Sequence, residues 1–187
     1  MSRLLYDLQA CRPSRFRTGD NLPVLQKKIA LVGAPGVGKT SLVRRFVESL
    51  FDERYLTTIG VKVDRKDVMI DGLTLRLMLW DVAGAEDGFI PTSYVRGSAG
   101  YLRVIDGTRP DSIQESLDIT ARIERDLGPI PSITVANKHD LVSEWRVTAA
   151  DLALLGPNPS AVLRASAKTG DGVEDAFLAL ARAVAGP

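Results

Sequence analysis

One short segment carries residue types that can bind phosphate. The stretch GAPGVGKT fits the pattern G-x-x-x-x-G-K-[ST], with an apolar run before it and an amphipathic run after it. Its glycines allow successive N–H groups to face one anion, and the helix that follows adds the positive end of its dipole. Lys39 is predicted to reach the β- and γ-phosphates, and Thr40 to offer its hydroxyl to Mg²⁺. The predicted phosphate-binding residues are Gly33, Ala34, Pro35, Gly36, Val37, Gly38, Lys39, Thr40 and Ser41.

A second polar segment carries residue types that suit guanine. The pattern NKxD ends the apolar run SITVANK, and SAK ends the next apolar run. The Asp140 carboxylate can accept from guanine N1–H and the 2-amino group together, whereas adenine has no such donor pair. Read alone, NKxD could be a polar strand end; after a phosphate loop and before SAK, it favours guanine. The predicted base-binding residues are Asn137, Lys138, Asp140, Ser166, Ala167 and Lys168. His139, in the variable position of NKxD, is predicted to face solvent rather than act as a general base.

The elements that must position these residues alternate along the chain. Short apolar runs typical of buried strands are KIALVG, GYLRVIDG, SITVANK and AVLRASA. Two further runs joined by Asp71-Gly72, VKVDRKDVMI and LTLRLMLWD, predict a hairpin whose charged first arm is an edge strand. Helical spacing of apolar residues predicts helices in KTSLVRRFVESLF, DSIQESLDITARIERDLG, TAADLALLG and from Val173 to Val184. The order predicts a three-layer α/β fold with helices on both faces of the sheet.

A series of motifs resembles the Ras-like small GTPases, and among them the Rab-type branch. They are GAPGVGKTSLVRRF, FDERYLTTIG, WDVAGAE, YVRGSAGYLRVIDGTRPDS, NKHDL and SAKTGDGV, and the resemblance covers roughly residues 27–184. It implies a P-loop NTPase fold, the Ras-like G domain, with a six-stranded, mostly parallel sheet, one antiparallel edge strand and about five helices. We assign that domain to residues 27–187. Residues 1–26, polar and broken by prolines, are predicted to form a flexible N-terminal leader.

The resemblance also assigns roles outside the phosphate and base motifs. Phe51 matches an aromatic residue that packs against guanine, and Tyr55 a tyrosine that closes over the phosphates. Thr58 matches the threonine that senses the γ-phosphate, and the Gly84 N–H contacts the same group. The predicted catalytic residues are accordingly Lys39, Thr58 and Gly84.

A magnesium site is predicted from Thr40, Thr58 and Asp81. Thr58 and Asp81 hold the ion in the family that the chain resembles, Asp81 through water. The side chains of Thr40, Thr58 and Asp81 also provide hard oxygen atoms, which are the ligands that Mg²⁺ prefers. The alternative for Asp81 is a turn residue that ends a strand.

Two positions depart from the family pattern. Ala85 stands where the family has the glutamine that orients the attacking water, and a methyl group cannot hold a water molecule. Pro35 replaces a glycine common in the family and removes one N–H from the phosphate loop. We therefore expect a GTP/GDP-binding molecular switch, an enzyme whose intrinsic GTP hydrolysis is slow and depends on a partner. Alternatives left open are a non-hydrolysing GTP-binding scaffold or nucleotide sensor, and an ATP-using P-loop enzyme.

Composition limits the partners and the compartment. The net charge of +1 argues against a dedicated nucleic-acid binder, and no apolar run approaches the roughly 20 residues that span a bilayer. Cys11 is the only cysteine, which fits a reducing cytoplasm, and no lipid-anchor signal is expected. We expect a cytoplasmic protein with Mg²⁺ as cofactor. Effector, exchange and activating proteins are expected to bind switch I (about 51–60) and switch II (about 81–97).

Overall fold

The computed structural model describes residues 24–52, 58–84, 91–156 and 162–186. The strands are β1 (Leu25–Val32), β2 (Val61–Ile70), β3 (Leu73–Val82), β4 (Gly100–Asp106), β5 (Ser132–Asn137) and β6 (Val162–Arg164). The helices are α1 (Lys39–Glu48), α2 (Thr92–Val95), α3 (Asp111–Leu127), α4 (Ala149–Ala153) and α5 (Val173–Ala185), with a 3₁₀ turn at Val142–Glu144. Strand β1 begins before the boundary at residue 27 that the sequence suggested.

The strands form one sheet in the order β2-β3-β1-β4-β5-β6. Strand β2 pairs antiparallel with β3 at one edge, and every other pair in the sheet is parallel. This confirms the expected six-stranded, mostly parallel sheet with one antiparallel edge strand. The connection between β2 and β3 is the predicted tight turn. Asp71 and Gly72 both have left-handed backbone angles, φ 49° and 82°, as a two-residue hairpin that matches the twist of its strands requires.

Helices cover both faces of the sheet, which confirms the three-layer arrangement. On one face, α1 and α5 pack over the leucines of β3, and Phe46 stacks on Phe177 with ring centroids 4.1 Å apart. On the other face, α2 and α3 cover Tyr101, while α4 joins α3 over Ile105. Within the described ranges, no helix has the length and apolar character needed to cross a bilayer.

Trp80 lies on the face of β3 opposite its buried leucines, as expected from the alternation of side chains along a strand. Its ring is half-buried, and the Lys28 ammonium of the neighbouring strand β1 lies 3.7 Å from the ring centroid. The same ammonium donates to the carbonyl of Arg96 at 2.8 Å, directly after α2. A lysine therefore joins this tryptophan to the segment predicted as switch II.

The parallel strands all end at the same edge of the sheet, which is where ligands bind in open α/β folds. The loops after β1, β3, β5 and β6 carry the segments predicted for phosphate, metal and base. Strand β1 is central, so its loop lies between the others. The fold therefore brings segments from across the chain to one place.

Candidate functional site

A cavity of about 1020 Å³ opens at this edge of the sheet. Most of the predicted nucleotide-binding residues line it: Pro35, Gly36, Gly38, Lys39, Thr40, Ser41, Phe51, Thr58, Gly84, Asn137, Lys138, Asp140, Ala167 and Lys168. Others lie buried behind its wall: Gly33, Ala34, Val37, Asp81 and Ser166. Tyr55 and Ala85 fall outside the residues that the structure describes. The structure thus gathers the described part of the predicted set around one cavity.

Side chains hold several carbonyl groups of the phosphate loop. The Lys39 ammonium donates to the carbonyls of Gly33 and Ala34 at 2.8 and 2.9 Å. The amide nitrogen of Asn137 donates to the carbonyl of Val37 at 2.9 Å. A trans peptide points its N–H away from its carbonyl. Fixing the carbonyls in this way leaves amide groups of the loop free to face an anion.

Lys39 is the buried cation of the site, with 6% of its surface exposed. Burial lowers the pKa of Lys39 to about 8, and the charges of Asp81 and Glu115 oppose part of that shift. The protonated ammonium is thus poorly compensated for its loss of water. A phosphate group in the cavity would stabilise the charged form, because an opposite charge nearby raises a lysine pKa.

Two close approaches require glycine. Gly38 has φ 96°, and a Cβ at this position would lie 2.3 Å from the Asn137 amide nitrogen. A Cβ on Gly84 would lie 2.6 Å from both Cα and N of Pro35. The Gly38 backbone therefore packs against a residue of the base motif. Gly84, at the start of the predicted switch II, lies directly against the phosphate loop.

Three oxygen-bearing side chains converge beside the phosphate loop. The Thr40 hydroxyl donates to Asp81 Oδ2 at 2.5 Å and lies 2.7 Å from the Thr58 hydroxyl oxygen. Asp81 Oδ1 is buried without a hydrogen-bond partner among the described residues. Burial raises the pKa of Asp81, while the Thr40 hydrogen bond and the charges of Lys39 and Lys62 act in the opposite direction. A divalent cation would satisfy the buried oxygen, so this donor set fits Mg²⁺.

At the base end, Asp140 is held in place by the loop after β6. The Ser166 hydroxyl donates to Asp140 Oδ1 at 2.6 Å, and the same hydroxyl oxygen accepts from the Thr169 N–H at 3.0 Å. The Ala167 N–H donates to Asn137 Oδ1 at 3.1 Å. The NKxD and SAK motifs are thus hydrogen-bonded to each other. Their arrangement orients one carboxylate at the cavity wall.

Several contacts of the site had no signal in the sequence. The Lys138 ammonium lies 2.6 Å from Asp106 Oδ2 at the end of β4, and Asp106 is fully buried. On α1, Arg45 donates from Nε to the carbonyl of Ala167 at 2.8 Å and from its terminal nitrogen to the carbonyl of Lys168. The partners of Lys138 and Arg45 are main-chain groups or residues distant in sequence. The spacing of residue types along the chain therefore does not predict these contacts. Further cavity-lining residues outside the predicted set are Arg44, Glu48, Leu50, Asp52, Ile59, Lys62, Val82 and Leu141.

His139 lies apart from this chemistry. Its side chain is exposed and packs edge-on against Trp145, with ring centroids 5.2 Å apart. The exposed position agrees with the expectation that it faces solvent. Phe51 is half-buried, packs against the core beneath α1 and α5, and also lines the cavity.

Comparison with known proteins gives consistent similarities. The family model described as Ras family matches residues 28–186. The chain is 37% identical over 165 residues to Ras-related protein Rab-1 of Theileria parva, covering 84% of this chain and 73% of the relative. It is 37% identical over 161 residues to the GTP-binding protein YPT1 of Saccharomyces cerevisiae, covering 84% and 78%. Identity to Ras-related protein RABE1e of Arabidopsis thaliana is 33% over 177 residues, covering 92% and 80%.

These similarities span the described cavity and its supporting elements. The match to the Ras family is consistent with the six-stranded, mostly parallel sheet. Nothing in them favours the non-hydrolysing scaffold over a switch that hydrolyses its nucleotide.

Proposed function

Because this chain belongs to the Ras family, and within it to the Rab branch, we propose that the cavity at the sheet edge is its nucleotide site and that its intrinsic GTP hydrolysis is slow. As a family member the chain is a GTP-binding molecular switch and a GTPase. Ras-family GTPases generally use Mg²⁺. What we propose is which residues of this chain bind GTP and Mg²⁺, and that GTP hydrolysis is slow.

The observation that carries the proposal is that the Lys39 ammonium lies beside three oxygen-bearing side chains that contact one another. We call the side chains of Thr40, Thr58 and Asp81 the oxygen cluster. The buried ammonium of Lys39 and the hydroxyls of Thr40 and Thr58 line one cavity, and Asp81 accepts from Thr40 directly behind its wall. Phosphates placed there would neutralise Lys39, and Mg²⁺ held by the cluster would neutralise developing negative charge on the phosphates. Thr40 is in the first turn of α1 and Thr58 lies shortly before β2, so the cluster joins two separate segments of the chain.

The base end supports guanine as the preferred base. Asp140 keeps one oxygen on the Ser166 hydroxyl at 2.6 Å, which fixes the plane of the carboxylate. A carboxylate held in this way can accept from two adjacent guanine donors, and adenine would leave it unpaired. Asn137 joins this end to the phosphate loop through the carbonyl of Val37. Base and phosphate recognition therefore share one connected set of hydrogen bonds.

Slow hydrolysis follows from Ala85. In the reaction, water attacks the γ-phosphorus, and the bond from that phosphorus to the oxygen of the leaving GDP breaks. The protein's contribution is mainly to position the water and to stabilise charge. The methyl group of Ala85 offers no hydrogen bond to the water. We therefore assign the positioning of the water to a group supplied by an activating protein.

Partner binding is assigned to switch I (51–60) and switch II (81–97). Ile59, beside Thr58, is 93% exposed, so its apolar side chain is accessible to a protein that binds this segment. Effector, exchange and activating proteins are the partners proposed for these segments.

Single-turnover hydrolysis of GTP by the full chain tests the proposal. The wild type is compared with Ala85→Gln, and Ala150→Gln, at an exposed position of α4, is the matched control. We expect Ala85→Gln to raise the rate by at least about tenfold and the control to leave it unchanged. A wild-type rate that Ala85→Gln does not increase contradicts the assigned cause. Absence of Mg²⁺-dependent GDP binding contradicts the proposed site itself.

A further inference from the structure

Arg109 lies in the segment YVRGSAGYLRVIDGTRPDS, is not among the predicted site residues, and contacts the phosphate loop. It stands between β4 and α3, and its Nη1 donates to the carbonyl of Pro35 at 3.1 Å. Its Nη2 lies 3.5 Å from Glu115 Oε1, one turn along α3. A guanidinium presents several donors in a fixed plane, so it can serve both partners at once. Arg109 thus joins the start of α3 to the loop.

The direction of the Pro35 carbonyl determines where the next amide points. The carbonyl of Pro35 and the N–H of Gly36 belong to one peptide unit, and the described residues contain no cis peptide bond. In a trans peptide, these two groups point in opposite directions. Pro35 and Gly36 line the cavity, whereas Arg109 is outside the lining set. With its carbonyl held by Arg109 on one side, this peptide can present the Gly36 N–H to the cavity on the other.

The Gly36 amide matters more here because Pro35 has no N–H of its own. The preceding carbonyl, that of Ala34, is held by Lys39, and the carbonyl of Val37, two residues beyond Pro35, is held by Asn137. Arg109 is therefore a third side chain, with Lys39 and Asn137, that holds a carbonyl of the loop. A charged donor on a carbonyl also polarises its peptide and strengthens the N–H as a donor.

We propose that Arg109 is a positioning residue for the nucleotide phosphates, acting through the Pro35–Gly36 peptide. It holds the Pro35 carbonyl, directs the Gly36 N–H toward the phosphate groups, and is itself oriented by Glu115. This inference rests on the nucleotide site proposed above. It adds a residue from the connection between β4 and α3 to the residues that bind phosphate.

The test uses the full chain with Arg109→Ala and Arg109→Lys. Arg125→Ala is the matched control, because Arg125 is an arginine of α3 that forms an exposed ion pair with Asp126. The measurements are affinities for GMP and GDP in the presence of Mg²⁺, and the amide proton shift of ¹⁵N-labelled Gly36 on GDP binding. Thermal unfolding of each nucleotide-free variant checks the fold.

We expect Arg109→Ala to weaken GDP binding by about tenfold, the loss typical of one charge-assisted hydrogen bond. GMP affinity should fall less, and the Gly36 proton should move less far downfield on GDP binding. Arg109→Lys should recover part of the loss, and Arg125→Ala should match the wild type. Equal losses for GMP and GDP, or an unchanged Gly36 shift, would overturn the inference. Failure of the wild type to bind GDP would instead overturn the proposed site.

Discussion

Asn137 donates to the carbonyl of Val37 across 100 positions of sequence, at 2.9 Å. Its other side-chain atom accepts from the N–H of Ala167 at 3.1 Å. One buried amide thereby connects the phosphate loop, the base motif and the loop after β6. Gly38 packs so closely on this amide that no larger residue fits. The asparagine is therefore a structural junction as much as a ligand-facing residue.

Replacing this junction should destabilise the protein even without nucleotide. Asn137→Ala leaves a buried carbonyl and a buried N–H without partners, and we expect it to lower the free energy of unfolding by about 3 kcal/mol. Chemical denaturation of nucleotide-free protein measures this. Gln114→Ala removes an exposed amide that contacts Asp118 and should change the value by less than about 0.5 kcal/mol. Equal effects of the two variants would contradict the junction.

Asp140→Asn should change which base is bound. An amide can donate where the carboxylate only accepts, so guanine loses its complement and xanthine, with a carbonyl at position 2, gains one. We expect GDP affinity to fall at least about a hundredfold and xanthosine diphosphate to bind instead. Competition against a fluorescent nucleotide measures both. Asp118→Asn, on the exposed face of α3, is the control and should bind GDP as the wild type does. Tight GDP binding by Asp140→Asn would contradict the assignment.

Gly84→Ala should weaken the triphosphate state more than the diphosphate state. The added methyl group would meet backbone atoms of Pro35 and Ala34, so the start of switch II must move away from the loop. We expect affinity for a non-hydrolysable GTP analogue to fall about tenfold further than GDP affinity. The ratio of the two affinities is the relevant measurement, because a general loss of stability lowers both. An unchanged ratio would show that Gly84 does not sense the γ-phosphate.

Removal of Mg²⁺ should release the nucleotide faster, and Asp81 should mediate the effect. With a chelator present, we expect GDP to leave the wild type at least about tenfold faster. Asp81→Asn should already release GDP quickly and respond little to the chelator. Asp64→Asn tests whether any nearby acidic group has the same effect, because Asp64 lies on β2 and pairs with Lys62. A chelator response that survives in Asp81→Asn would place the ion elsewhere.

The sequence predicted the site residues best where a charged or polar side chain, or a glycine loop, follows directly after a strand. The phosphate loop, Asp81 and Asp140 were located from motif spacing, and the sheet brings them to one edge. Alternation of leucines along LTLRLMLWD gave the buried face of β3, and Asp71-Gly72 gave the hairpin turn. These features depend on local pattern, which a single sequence contains.

Contacts that depend on tertiary packing could not be found in this way. Arg45 and Arg109 both donate to main-chain carbonyls of distant loops. Every residue has such a carbonyl, so no residue type in the sequence marks the acceptor. The pairing of Lys138 with Asp106 joins the ends of two neighbouring strands, and their register is fixed only when the sheet forms. Strand β1 extends back to Leu25 because Leu75 of β3 offers it a partner, not because its own residues are apolar. Such features follow from the assembled fold.

The chain has two tryptophans, and each is adjacent to a different part of the proposed site. Trp80 precedes Asp81, the proposed metal ligand, and lies beneath Lys28; Trp145 covers Gly107 and touches His139, the neighbour of Asp140. The protein thus carries two intrinsic fluorophores, one beside the proposed metal site and one beside the proposed base pocket. With Trp145→Phe, emission reports only the phosphate end, and with Trp80→Phe only the base end. Base entry and switch movement can therefore be timed separately in unlabelled protein.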